Sequence, residues 1–178
     1  MHAAPYVAAA TEGARRGTGL EDIGACAIRA MTSNNLPINE AEIRTLIPHS
    51  GSMCLLDSVT EWDDRSIVCI SNTHRDPANP LRRNGQLSAV NAFEYGAQAA
   101  AVHGGLRALS AGVTAPRGYL AALRDACLRV TRLDDIASPL QVRAHRLFAD
   151  AANAVYECRV SAGDVLLAEG RITIILRA

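Results

Sequence analysis

The 178-residue chain has no lysine; all eighteen of its basic residues are arginine. That absence excludes a P-loop phosphate lysine, a Schiff-base lysine and any lysine nucleophile or base. Aromatic side chains make up 4% of the chain, too few for base-stacking platforms or aromatic cages. Net charge is missing as well. Eighteen acidic residues balance the arginines to +0, so no overall field draws the chain to nucleic acid or to an anionic membrane. There is no C-x-x-C pair, and the cysteines (Cys26, Cys54, Cys69, Cys127 and Cys158) are odd in number. They read as reduced, small core residues of a cytoplasmic protein, spaced wrongly for a structural zinc site. Outside one glycine-rich helix, no charge-free apolar run approaches ~18 residues, so no membrane span is expected. Met1-His2-Ala3-Ala4-Pro5 lacks the basic and apolar regions of a secretory signal.

What is present is 49% apolar and 20% charged, the balance of one globular domain. The chain divides near residue 37. Residues 1–37 carry Gly13, Gly17, Gly19 and Gly24 without a sustained period, and are expected to form a weakly ordered tail. Met31 begins a more conventional opening. Residues 38–178 are expected to be the folded domain.

A short helix is predicted over 38–47, with Glu40 and Glu42 in its first turn and Pro48 as its stop. A turn over 48–52, an apolar segment over 53–60 and a second turn at Asp63-Asp64 follow. Residues 66–73 are β-branched and strand-like. Pro77, Pro80 and Gly85 make 75–86 a loop. Ser88 is the candidate N-cap of a helix over about 89–109, which is apolar on nearly every side and therefore expected to be buried on every side. Strands over 119–130, 141–149, 154–160 and 165–176 come next. The short turns between them imply an antiparallel meander. The fold class is α+β, with five or six antiparallel strands wrapped around one long helix. The 66–73 strand is the candidate edge for pairing with a second subunit across a two-fold axis.

Few residues can carry chemistry. Between Arg83 and Arg107 the only carboxylate is Glu94, mid-helix among alanines, valine and phenylalanine. An unpaired buried carboxylate is costly, so Glu94 is expected to be paired or shifted in pKa, and it is the leading catalytic candidate. The alternative is a structural glutamate held by arginine or facing an interface. Gln98, at i+4, can hydrogen-bond it. His74, where the 66–73 strand runs into the loop, is a candidate general base or a loop-bonding histidine. His49 is read as stabilising its turn, and His103 as packing near Gly104-Gly105. Arg82 and Arg83 are solvated loop charges or a contact for phosphate or an acidic partner.

Two clusters suggest a family. Ile47-Pro48-His49-Ser50-Gly51-Ser52-Met53-Cys54-Leu55-Leu56-Asp57-Ser58-Val59 resembles the L-P-H-x-x-P-F-x-L-x-D-x-V opening of hot-dog 3-hydroxyacyl-(acyl-carrier-protein) dehydratases. Phe93-Glu94-Tyr95-Gly96-Ala97-Gln98-Ala99 resembles their central-helix motif E-x-x-A-Q. The 74–83 loop and the 101–105 segment look more specifically like the ApeP-like dehydratases of aryl-polyene pigment pathways. The resemblance covers about 38–178 and implies a hot-dog fold.

It also implies loss of water between C2 and C3 of a 3-hydroxyacyl thioester, in fatty-acid-like or aryl-polyene biosynthesis. Counting back from Glu94 puts the family histidine at Asn79 or Pro80, so His74 is the candidate replacement, taking the C2 proton. Glu94, protonated at rest in apolar surroundings, would give a proton to the departing hydroxyl. Backbone N–H groups from Gly85 to Ser88 would hold the thioester oxygen, with Asn79 and Gln98 also assigned to the substrate. The acyl group would arrive on the phosphopantetheine arm of an acidic acyl carrier protein, met by Arg82 and Arg83. No metal or other cofactor is implied. A homodimer, or a heterodimer with another hot-dog subunit, is expected. Three rivals remain: a hot-dog acyl thioesterase using Glu94, a non-catalytic partner subunit of a dehydratase heteromer, and a small-molecule binding module.

Overall fold

The computed structural model describes residues 36–177; the expected tail over 1–37 falls almost wholly outside the described residues. The domain is one seven-stranded antiparallel sheet and one long helix. Its elements are β1 (Ile38–Asn39), α1 (Glu40–Leu46), β2 (Ser58–Trp62), β3 (Ser66–Ser71), α2 (Ala92–Ser110), β4 (Arg117–Leu128), β5 (Leu140–Ala149), β6 (Asn153–Ala162) and β7 (Val165–Arg177). The spatial order is β1-β2-β3-β5-β6-β7-β4.

α1 begins with a capping box. The Asn39 side chain accepts the Glu42 N–H at 3.1 Å, and the Glu42 carboxylate accepts the Asn39 N–H at 2.8 Å. α2 buries Phe93, Tyr95, Ala99, Val102 and Leu106 against the concave sheet face, beneath Val142, Ala144, Tyr156, Cys158 and Ile172. Glycines let it approach: a Cβ on Gly96 would sit 3.0 Å from Cys158 Sγ, and one on Gly105 would sit 3.0 Å from the Leu46 carbonyl. The sheet makes the same allowance at Gly170, where a Cβ would meet the Phe93 ring at 2.9 Å.

Five expectations change. The 66–73 segment supplies β3, which lies inside the sheet between β2 and β5. The expected four-strand meander holds only for β5, β6 and β7; the first of the four strands, β4, crosses over to pair with β7 alone and is the long exposed edge. Ser88 makes no side-chain capping bond; a 3₁₀ turn over Ala89–Asn91 leads into α2 instead. α2 is not covered all round, because Glu94, Ala97, Ala101 and Gly104 form a half-exposed stripe at helical spacing. Cys127 lies exposed on β4, whereas Cys54, Cys69 and Cys158 are buried as expected; Cys26 is outside the described residues.

β4 has an unusual surface. Leu120, Leu123 and Leu128 pair with inward-facing residues of β7, so they lie on the concave face, yet they remain 37–44% exposed. On the opposite face Arg117 stands directly across from Arg177, and Arg124 from Arg171. Like charges so placed are unfavourable; Asp125 relieves the second pair through a 2.6 Å contact with Arg171.

Candidate active site

The site is assembled around the backbone N–H and carbonyl of Leu55. Its N–H donates to Gln98 Oε1 at 2.9 Å, while the Gln98 side-chain amide donates to the Met53 carbonyl at 2.9 Å and to Glu94 Oε1 at 3.1 Å. Its carbonyl accepts the hydroxyls of Ser71 at 2.5 Å and Thr73 at 2.9 Å. Tyr95 continues the network, its hydroxyl 3.0 Å from Thr73 Oγ1 and accepting the Asn79 side-chain amide at 3.0 Å. The 49–55 turn is thereby fastened to α2 and to the end of β3.

That fastening brings His49 to Glu94, with Nε2 3.4 Å from Oε1. The two side chains are 28% and 29% exposed, enough to meet a substrate. Both the Gln98 and the His49 contacts fall on Oε1; Oε2 receives no hydrogen bond from the described residues. The His49 imidazole beside it holds the Glu94 carboxyl below its ordinary value, against desolvation, with the Gln98 hydrogen bond acting in the same direction. The expected resting state therefore reverses: Glu94 is an ionised, partnered carboxylate.

Of the expected site residues, the structure brings Glu94 and Gln98 together. His74 is fully buried, and its Nε2–H donates to the Ile136 carbonyl at 3.0 Å. Burial lowers its pKa, and Nδ1 has no partner. The imidazole at Glu94 belongs to His49, expected only to stabilise its turn. Asn79 is buried and committed to the Thr73 carbonyl and Tyr95. Arg82 turns inward, donating to the carbonyls of His74, Arg75 and Gly85 and lying 3.5 Å from Asp134. Arg83, Gly85 and Ser88 are exposed; Gly85 occupies a tight turn at φ +76°. His103 is buried, bonded to Tyr156 Oη at 2.9 Å and to the Asp63 carbonyl at 2.8 Å.

Among the described residues no three His, Cys, Asp or Glu side chains converge as a metal site, and no helix is long and apolar enough to cross a membrane. A cleft of about 530 Å³ lined by Trp62, Asp63, Asp64 and Arg107 lies at the far end of α2, thirteen residues and about 20 Å along the axis from Glu94.

The family model for ApeP-like proteins, described as ApeP dehydratase, matches residues 41–177. No curated protein matches the sequence. Among solved structures, the dehydratase heterocomplex ApeI:P from Xenorhabdus doucetiae is similar with a TM-score of 0.70 and 24% identity, covering 81% of this chain and 93% of that one. AziG from S. sahachiroi aligns with a TM-score of 0.49 and 16% identity, over 75% of this chain and 99% of that one. A mutant of the thioesterase PA1618 from Pseudomonas aeruginosa aligns at 0.45 and 14%, over 67% and 79%. The likeness to the first supports the hot-dog fold.

Proposed function

The chain belongs to the ApeP-like dehydratase family, and on that premise we propose that it removes water from 3-hydroxyacyl thioesters carried by acyl carrier protein. The observation that carries the reading is the His49–Glu94–Gln98 constellation, with one carboxylate oxygen free beside the His49 imidazole. In the proposed reaction Glu94 Oε2 accepts a proton from C2 of the thioester. The C2–C3 double bond forms as the C3–O bond breaks, and His49 Nε2 gives its proton to the departing hydroxyl. The products are a trans-2-enoyl thioester and water. The proton on Glu94 then returns to His49 across their 3.4 Å contact, restoring the resting pair. Charge developing on the thioester oxygen is met by a backbone N–H of the 85–88 segment that leads into α2. These steps need proton transfer and nothing from a metal or redox group.

The proposed assembly is a dimer with another hot-dog subunit, paired along β4. Three half-exposed leucines and an unpaired strand edge support this, and the ApeI:P protein is itself a heterocomplex. With Arg82 committed internally, Arg83 remains as the loop arginine for an acidic carrier. The proposed location is the cytoplasm, where carrier-bound acyl groups are processed. The test is incubation of the protein, alone and with candidate hot-dog partners, with a 3-hydroxyacyl-carrier thioester. Enoyl thioester is the expected product. Free carrier thiol without enoyl product would make it a thioesterase, and no product in any combination would leave a non-catalytic subunit.

A further inference from the structure

Two connections far apart in sequence are stitched together beside the site. The Leu133 N–H donates to the Leu87 carbonyl at 2.8 Å, and the Ala89 N–H donates to the Thr131 carbonyl at 3.0 Å. Ser88 thus faces Arg132 in an isolated antiparallel bridge. In such a pair the flanking residues exchange the hydrogen bonds, and the N–H and C=O of the facing residues point away from each other. The Ser88 carbonyl accepts the Asn91 N–H at 3.0 Å. Its N–H has no acceptor among the described residues, and it lies six residues before Glu94.

Asp134 sets this arrangement. Its carboxylate, 4% exposed, accepts the Leu87 N–H at 2.8 Å and the Arg132 guanidinium, and lies 3.5 Å from Arg82 Nη1. The Arg132 hydrogen bond holds the carboxyl far below its ordinary value. Arg82 in turn ties down the carbonyls of His74, Arg75 and Gly85. One buried carboxylate therefore fixes both the loop before α2 and the segment 131–134 that runs alongside it.

We propose that Asp134 is a positioning residue for the thioester: it holds 87–90 in the register that presents the Ser88 N–H to the substrate carbonyl. This rests on the dehydratase reading and adds to it a residue that does not touch the reacting atoms. Two variants test it. Ser88→Pro deletes the donor while keeping the backbone, since Ser88 already has φ −61°; kcat should fall by ~10²–10³-fold, the usual loss for one such donor, with Tm held. Asp134→Ala should lower kcat by ~10–10²-fold. It should also shift the Raman carbonyl stretch of bound enoyl thioester back toward its solution value. Asp134→Asn, which can still accept the Leu87 N–H, should recover most of that shift. The pH profile should not move, because His49 and Glu94 are untouched. Full kcat in Ser88→Pro overturns the proposal, as does an Asp134→Ala protein that melts earlier but keeps kcat and the carbonyl frequency. A wild type without dehydratase activity in any combination overturns the underlying reading and takes this inference with it.

Discussion

Exchanging Glu94 for glutamine and, separately, His49 for alanine tests the proton-transfer pair directly. Glu94→Gln keeps the side-chain length and can still meet Gln98 and His49, but it cannot accept a proton. Turnover of a 3-hydroxyacyl-carrier thioester should fall by ~10²–10⁴-fold, or roughly 3–5 kcal/mol of activation free energy. The stability change should be small. Glu94 is 29% exposed and its partner His49 28%, so losing this half-screened pair is worth about 1 kcal/mol, or ~2–4 °C in Tm. His49→Ala should lose a comparable rate, and the double variant should be little worse than either, since the two act as one unit. His74→Ala should behave oppositely. It leaves the Ile136 carbonyl unpaired beside a cavity, costing about 2–4 kcal/mol of stability while turnover per folded molecule stays the same. The assay is steady-state enoyl formation normalised to folded protein, with a thermal melt beside it. If His74→Ala abolishes turnover without moving Tm while His49→Ala stays active, His74 is the base and the reasoning from this geometry is wrong.

Leu120→Glu with Leu123→Glu places charge on the concave face of β4, where both leucines are already exposed; association measured by light scattering should be lost while the melt of the separate chain changes little. Gly170→Ala forces a methyl against the Phe93 ring and the Ala126 backbone, and calorimetry should show destabilisation of about 1–3 kcal/mol. His74 and His103 both have burial-lowered pKa values, so the unfolded chain binds protons first. Stability should hold above ~6.5, the free-histidine value, and fall as pH drops from there toward the lowered folded values. His103→Gln should flatten that slope in urea titrations at a series of pH values; an unchanged slope would exclude His103 as a cause.

Much of the fold was legible because its signals are local. The meander from β5 to β7 follows from alternation and short turns, and α2 from an apolar run too long for a strand. Glu94 and Gln98 stood out because a lone carboxylate in such a run needs a partner at i+4. Three features were not legible, and all three depend on contacts between distant residues. The edge role of β4 depends on sheet order, which alternation within a strand does not encode. His49 looked like a turn residue because its link to Glu94 runs through Leu55 and Gln98, more than forty positions apart. Asp134 lies between two strand-like runs with nothing local to mark it; its partner Leu87 is 47 residues away. A signal for His49 was nonetheless present, since Pro48-His49 lies within the first family cluster.

The double attachment of Leu55 has a mechanical consequence. The two peptide planes that meet at the Leu55 Cα are both held, one by a helix through the Leu55 N–H and the other by a strand end through the Leu55 carbonyl. The turn bearing His49, the helix bearing Glu94 and the tip of β3 must therefore move as a single body, and fluctuations at the ends of the sheet leave the 3.4 Å gap between imidazole and carboxylate unchanged. The Leu55 amide should be among the slowest in the chain to exchange with deuterium. Any opening that admits a long acyl group has to come from outside this body, along the uncovered stripe of Glu94, Ala97, Ala101 and Gly104 and the strand edge that no element of this chain covers.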